Sequence, residues 1–330
     1  MDAKKNIDLF NITDDQIKQE KMSGEIYKIE SGYLSHVDHI LNLSIIEVPL
    51  IQKKKYNVVV DAVNGAASKA LPCMLKSLGC EVHLLHCEPN GKFPRGTEPL
   101  PQNLKKLSNK IIELRADVGF ATDPDGDRLA VIDEKGNALG EEYTLTICAD
   151  GFFRSTNSRH PVVTNLSTTI ALDRIANKYG SSVIRSAVGE INVVDKMKKT
   201  GALLGGEGNG GVILKENNLG RDSLIGVALF LNRMAQTTSP VSHIFQSMPQ
   251  YHILKDKISI NTKNADQILK KIETKFGSTS INKTDGLKLS WDNSWIHVRK
   301  SNTEPIIRIY AEASSKIDAL KLIDKVKSII

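Results

Sequence analysis

Asp123-Pro124-Asp125-Gly126-Asp127-Arg128 sets three carboxylates at alternate positions, with an arginine directly behind the last. Upstream, Ala116-Asp117-Val118-Gly119-Phe120-Ala121 reads as a short buried strand, and downstream Leu129-Ala130-Val131-Ile132 reads as a second. Like charges this close repel, so the loop needs something positive to hold them together. Carboxylate oxygens suit a hard divalent cation, Mg²⁺ or Ca²⁺, far better than Zn²⁺. An Asp/Gly/Pro cluster between strands also makes a plain turn, but a turn needs neither three alternating acids nor a fixed cation. An EF-hand would put Asp123, Asp125 and Asp127 at loop positions 1, 3 and 5 and Glu134 at 12. Arg128 then stands where that loop needs glycine, and the flanks read as strands rather than helices. The reading is a Mg²⁺ loop joining two strands, with the metal and Arg128 sharing one anionic ligand, a phosphate.

Outward from this loop the chain alternates strands and helices, which predicts an α/β layer fold. Residues 1–32 are polar, a remnant or linker with a short helix predicted around Asp14–Met22. A first α/β/α domain is predicted over 33–140. It has a helical pattern from Tyr33 that ends near Pro49, strands at Tyr56–Asp61 and Glu81–His86, and helices at Ser68–Leu78 and Gln102–Leu114. A second of similar rhythm is predicted over 141–240. Its helices fall at Glu141–Arg154, Thr168–Lys178, Asp195–Lys199 and Ser223–Ala235, and its strands at Pro161–Thr164, Ser182–Arg185, Ala202–Leu204 and Val212–Leu214. The two units suggest a repeat of fold without repeat of sequence. After a linker at Gln236–Pro240, residues 250–330 predict a smaller α+β domain, with strands at Lys257–Ile260, Lys288–Ser290, Trp295–Arg299 and Ile306–Ala311 and helices at Ala265–Phe276 and Ile317–Ile330. At 330 residues, two or three domains are expected, each with its own core.

Composition narrows the function. Hydrophobic residues at 40% and charged residues at 25% describe ordinary globular material. The net charge of +6 would suit a polyanion, but the longest basic run is Lys53-Lys54-Lys55 and aromatics reach only 5%. That argues against nucleic acid and for a small anionic substrate. Cys73, Cys80, Cys87 and Cys148 show no paired or zinc-like spacing, so free thiols in a reducing cytoplasm are expected; His83 and His86 read as structural. No apolar stretch reaches membrane-spanning length and the N-terminus lacks a signal-peptide core.

Two further loops carry chemistry. Gly205-Gly206-Glu207-Gly208-Asn209-Gly210-Gly211 lacks the terminal Gly-Lys-Ser/Thr of a P-loop, and a strand follows it where a dinucleotide fingerprint would open a helix. It reads as a hairpin turn, or as a loop offering Glu207 and Asn209 to sugar hydroxyls or an amine. Arg299-Lys300-Ser301-Asn302-Thr303-Glu304-Pro305, with Arg308 beyond, joins two strands and concentrates hydroxyls, an amide and guanidinium groups. Such a set surrounds a phosphate dianion, Arg299 in bidentate fashion.

The three loops, in this order and at this spacing, resemble the α-D-phosphohexomutases. The likeness runs from about Tyr33 to the C-terminus. The wording of Val188–Val194 and Gly205–Ile213 looks most like a bacterial branch described as phosphoglucosamine mutases. The resemblance implies Asp123, Asp125 and Asp127 as Mg²⁺ ligands and Arg128 as a contact to the transferring phosphate. It implies Glu207 and Asn209 for sugar recognition, and Arg299, Ser301, Asn302 and Thr303, with Arg308, for the non-reacting phosphate of a hexose phosphate. Many relatives have serine where Asn209 stands and histidine where Gly211 stands, which leaves glucosamine, glucose and mannose phosphates open. Full-length relatives also have a first α/β domain bearing a phosphorylated serine in a Ser-His-Asn-Pro-like context, and no such motif occurs here. The expectation is a Mg²⁺-dependent C6-to-C1 phosphoryl transfer machinery that is inactive alone. The alternatives are one half of a split mutase with a separate N-terminal phosphoserine domain, or a non-catalytic sugar-phosphate binder.

Overall fold

The computed structural model describes residues 31–259, 265–276, 280–301 and 304–329. The helix expected at Asp14–Met22 lies outside them, as do Asn302 and Thr303. The helical pattern from Tyr33 forms two helices, α1 (Gly32–Leu41) and α2 (Val48–Lys54). Pro49 sits in the first turn of α2, where its missing N–H has no intrahelical partner to lose, so it opens a helix instead of ending one.

The first sheet contains β1 (Asn57–Asp61), β2 (Glu81–Leu85), β3 (Val118–Thr122) and β4 (Leu129–Asp133) in the order β2-β1-β3-β4. Helices α3 (Ala67–Ser77) and α4 (Lys105–Leu114) connect its parallel strands, and β4 returns antiparallel to β3. Every residue of β3 and β4 is buried, which explains why both read as continuous apolar runs.

The second unit repeats this topology. Its strands β5 (Val162–Asn165), β6 (Val183–Ser186), β7 (Leu204–Glu207) and β8 (Gly211–Leu214) lie in the order β6-β5-β7-β8, with β8 again antiparallel. Its helices are α5 (Glu141–Thr156), α6 (Ala171–Lys178), α7 (Glu190–Thr200) and α8 (Ser223–Ala235). Helix α7 starts at Glu190 behind a positive-φ Gly189, runs through the expected Asp195–Lys199 and ends at Gly201. The acidic loop and the glycine-rich loop therefore occupy equivalent places, each turning the last parallel strand into the antiparallel edge.

Each of these two units keeps a core of its own, around Leu107, Ile111 and Ile132 in the first and around Val163, Val193 and Met197 in the second, but the larger core is shared. One continuous apolar cluster runs from Val37 to Met248 and draws on both sheets. Helix α8, buried at every position, fills the space between them. Its Phe230 ring meets Phe120 of β3 edge-on at 5.9 Å. A helix buried all round needs neighbours on every side, and this one takes them from both units, with its Asn232 and Arg233 paired to Ile45 and Asp150.

After α9 (Val241–Gln246) comes an antiparallel sheet of β9 (His252–Ser259), β10 (Ser280–Asn282), β11 (Leu287–Trp291), β12 (Ser294–Lys300) and β13 (Ile306–Ala313), ordered β10-β11-β12-β13-β9. Strand β9 starts five residues before the expected 257, and β10 was not foreseen. One face, with Leu289, Ile296, Val298, Ile307 and Ile309, packs against α10 (Ala265–Phe276) and α11 (Lys316–Lys327) as a separate core. By the two-residue period of strands, Trp295, His297 and Arg299 of β12 and Arg308, Tyr310 and Glu312 of β13 take the other face. The whole is two α/β/α layered domains followed by a smaller α+β domain. Among the described residues, no helix is long and apolar enough to cross a membrane.

Candidate functional site

The ligand atoms of Asp123, Asp125 and Asp127 lie within 4.8 Å of one another. The loop is held from behind by Gly65. A Cβ there would fall 2.3 Å from the Pro124 carbonyl oxygen, and the neighbouring Ala66 N–H donates to that oxygen at 2.8 Å. Asp123 is buried, and its Oδ1 accepts from the N–H groups of Asp127 at 3.1 Å and Arg128 at 3.0 Å. Burial pushes its carboxyl up to about 7, with the charges of Asp127 and Asp125 adding to the rise and the Arg128 N–H opposing it. Asp127 Oδ1 is buried and accepts no hydrogen bond. The Arg128 Nε approaches it only to 3.7 Å, so among the described residues this buried acceptor has an ion-pair neighbour but no hydrogen bond, which leaves it able to take a cation. An all-oxygen set fits Mg²⁺.

Arg128 donates to Glu98 Oε2 at 2.6 Å, and its Nε lies 3.4 Å from Asp123 Oδ2. Immediately beyond it the two antiparallel edges meet: the Leu129 N–H donates to the Gly210 carbonyl at 3.0 Å, and Arg128 bridges Gly211. Only glycine fits at 210, where φ is +90° and a Cβ would fall 2.4 Å from the Leu129 carbonyl oxygen. The glycine-rich loop is thus a true hairpin turn, and its glycines let the two units touch.

Arg221, in the loop before α8, ties the two hairpins together. Its Nη2 pairs with Asp127, its Nη1 donates to Glu207 Oε2 at 2.8 Å, and its backbone N–H donates to Glu190 Oε1 at 2.6 Å. Glu207 is buried and also accepts at Oε1 from Asn165 Nδ2 at 2.7 Å and the Gly189 N–H at 3.1 Å. Three of its roughly four acceptor positions are filled from within, leaving about one on Oε2. Asn209 Oδ1 accepts from the Gly211 N–H at 3.2 Å.

In the C-terminal sheet, Arg299 pairs across strands with Arg308, and Tyr310 with Lys255. Among the described residues, Arg299 Nε is buried with no hydrogen-bond partner. Arg308 donates to Glu304 at 3.2 Å, and the Ser301 N–H donates to the Ile306 carbonyl at 3.0 Å. Lys255 reaches the first turn of α5, pairing with Glu141 and, at 3.2 Å, with Glu142. Burial disfavours its ammonium, but the two glutamates outweigh that and hold its pKa above the ordinary value.

One cavity of about 650 Å³ collects Arg128, Glu207, Asn209, Arg299 and Arg308 from the residues singled out in the sequence, and adds Glu98, Glu190, Arg221 and Lys255. Ser301 does not line it. Asp125 and Asp127 open instead into a neighbouring cavity of about 270 Å³, with Arg221 on the wall of both. Glu98, Arg221 and Lys255 had no motif to mark them, while Glu190 falls in the Val188–Val194 stretch. The one local signal was Gly220-Arg221-Asp222 ahead of α8, where Asp222 caps the helix by accepting from the Leu224 N–H at 2.8 Å.

Three family models match the chain in succession. They are phosphoglucomutase/phosphomannomutase alpha/beta/alpha domain II over residues 33–136, alpha/beta/alpha domain III over 140–251, and the C-terminal domain over 257–328. A phosphoglucomutase/phosphomannomutase of Thermococcus kodakarensis is 36% identical over 287 residues, covering 84% of this chain and 61% of that protein. A probable phosphoglucosamine mutase of Methanopyrus kandleri is 30% identical over 312 residues, covering 93% and 67%. A phosphoglucomutase/phosphomannomutase family protein of Burkholderia thailandensis superposes with a TM-score of 0.78 at 26% identity, covering 90% of this chain and 63% of that one.

Proposed function

We propose, because this chain belongs to the phosphoglucomutase/phosphomannomutase family and residues from all three loop regions line one cavity beside the acidic cluster, that it forms the metal, sugar and distal-phosphate parts of a phosphohexomutase centre. The observation that carries this reading is the single 650 Å³ cavity with Arg128 from the acidic hairpin, Glu207 and Asn209 from the glycine hairpin, and Arg299 and Arg308 from the C-terminal sheet. The reaction is a phosphoryl transfer between C6 and C1 of a hexose phosphate. Glucosamine 6-phosphate to glucosamine 1-phosphate is the preferred case, with glucose and mannose phosphates as alternatives. The names of the relatives divide in the same way.

Arg299, with an unpartnered buried Nε, clamps the phosphate that does not react, and Arg308 supports it. That grip is common to both orientations of the sugar, so its energy goes into positioning. Glu207 and Asn209 orient the ring hydroxyls, and Arg128 faces the phosphoryl group in transit. Asp123, Asp125 and Asp127 would hold Mg²⁺, which when bound would offset charge on the transferring phosphoryl group. The phosphoryl donor is a phosphoserine supplied by a segment outside these 330 residues, since no serine here stands in the required loop context. The chain spans 61% of the length of its Thermococcus relative. The four cysteines are free, as a reducing cytoplasm would keep them.

Purified chain mixed with glucosamine 6-phosphate, Mg²⁺ and a hexose 1,6-bisphosphate primer tests this. Saturable binding without turnover, and turnover on adding a phosphoserine-bearing N-terminal domain, is the expected result. Turnover by the chain alone would overturn the external-serine reading. Binding with no turnover under either condition would favour a sugar-phosphate binding protein.

A further inference from the structure

Ser167 lies in the connection between β5 and α6 and lines the 650 Å³ cavity. Neither the three loops nor the ion pairs that join them account for it. Its Oγ stands 2.9 Å from Nδ1 of His297, a residue of β12 that is buried at 1% exposure. The other ring nitrogen, Nε2, lies 2.6 Å from the carbonyl oxygen of Asp285. A carbonyl oxygen only accepts, so Nε2 carries the imidazole proton and Nδ1 of the neutral ring is an acceptor. The hydroxyl proton of Ser167 is then committed to His297. What Ser167 turns to the cavity is a pair of lone pairs and no proton.

The backbone around it is equally fixed. The Ser167 N–H donates to Asn165 Oδ1 at 2.8 Å, and the same Asn165 holds Glu207 through its Nδ2 at 2.7 Å. Thr168 Oγ1 donates to Asn165 Oδ1 at 3.1 Å and receives the Gly208 N–H at 3.0 Å. Ser167 is thereby in rigid register with the glycine hairpin on one side and with the arginine-bearing strand on the other. Burial lowers the His297 pKa to about 4, which keeps the ring neutral, and this arrangement intact, near neutral pH.

We propose that Ser167 is a specificity-determining residue that accepts a hydrogen bond from a ring hydroxyl or amino group of the bound hexose phosphate, its polarity locked by His297. The assignment rests on the hexose phosphate reading above. A serine free to rotate would accept or donate and so discriminate little; a locked one rejects a ligand group that presents only lone pairs at that point.

Titration calorimetry of the full chain with Mg²⁺ separates the possibilities, using glucosamine 6-phosphate, glucose 6-phosphate and inorganic phosphate as probes. Ser167→Ala is expected to weaken binding of at least one hexose phosphate about tenfold, in the range of a hydrogen bond to a charged or buried partner. Binding of inorganic phosphate should stay within about twofold, and Ser167→Thr should restore most of the loss. A loss confined to the amino sugar identifies its ammonium as the donor, and an equal loss identifies a hydroxyl common to both sugars. Unchanged hexose phosphate binding by Ser167→Ala, or an equal loss for inorganic phosphate, overturns the role of Ser167 and leaves the hexose phosphate reading standing. Failure of the unaltered chain to bind either sugar phosphate overturns that reading and this one with it.

Discussion

At Asp127 the two oxygens of one side chain have different fates: Oδ2 pairs with Arg221, and Oδ1 is buried without a donor. A carboxylate with one oxygen held and the other only loosely approached, by the Arg128 Nε at 3.7 Å, is well placed to contribute to a cation. Asp127→Asn should weaken Mg²⁺ binding by about tenfold or more, because it removes the ligand's charge and presents a neutral amide to the cation. Calorimetry with MgCl₂ measures this directly, and unchanged affinity would remove Asp127 from the ligand set. Arg299 is the complementary case, a cation with a buried nitrogen that has no hydrogen-bond partner among the described residues. Arg299→Lys keeps the charge but loses the planar fork, so inorganic phosphate affinity should fall about tenfold. Equal affinity would mean the arginine is not the clamp. Both residues were legible in the sequence because their neighbours made a pattern. Arg221 was not legible, since its meaning comes only from the meeting of Asp127 and Glu207, 94 and 14 residues away.

At the level of elements, Trp295-Ile296-His297-Val298-Arg299 shows what a strand pattern can and cannot disclose. The alternation places Ile296 and Val298 in the helix-facing core and sends Trp295, His297 and Arg299 to the other face, as found. It does not say that this face is buried against the second α/β unit, where Lys288 donates to the Leu166 carbonyl at 2.6 Å and Glu312 accepts the Ile170 N–H at 2.8 Å. Charged residues on a strand ordinarily signal solvent, and here they mark a sealed polar interface. His297 gives that interface a pH dependence. Its folded pKa of about 4 lies below the unfolded 6.5, so between these values the unfolded chain binds the extra proton. Its contribution is complete above about pH 6.5 and declines as pH falls to about 4, by on the order of 3 kcal/mol in all. Urea unfolding of wild type and His297→Asn at pH 7 and pH 4.5 checks this: the variant should lose less stability on acidification than wild type, and parallel losses would refute it.

For the whole molecule, the alternation of strands and helices was enough to count two α/β units and a different third, but not to see that the first two share a core. The reason is physical. Local periodicity reports which face of an element is apolar, whereas α8 is buried on every face, and its partners come from both sheets. A continuous core predicts a continuous cooperative unit. Phe230 is fully buried in α8 and touches Phe120 in the first sheet, so Phe230→Ala should cost about 3–5 kcal/mol. If the cluster from Val37 to Met248 unfolds as one body, amide protection in β1 and β3 will fall together with that in β5 and β7, although Phe230 belongs in sequence to the second unit alone. The antiparallel sheet has its own cluster around Leu289, Ile296 and Ile309, and meets the rest through polar groups. Its β11 and β12 amides should keep their protection in the variant. Ile309→Ala should do the reverse, lowering protection in the C-terminal sheet and sparing β1 and β5. Native-state hydrogen exchange on the two variants reads both patterns. Loss confined to β5 and β7 in Phe230→Ala would divide the shared core into two, whereas loss spread to β11 and β12 would merge all three domains into one unit.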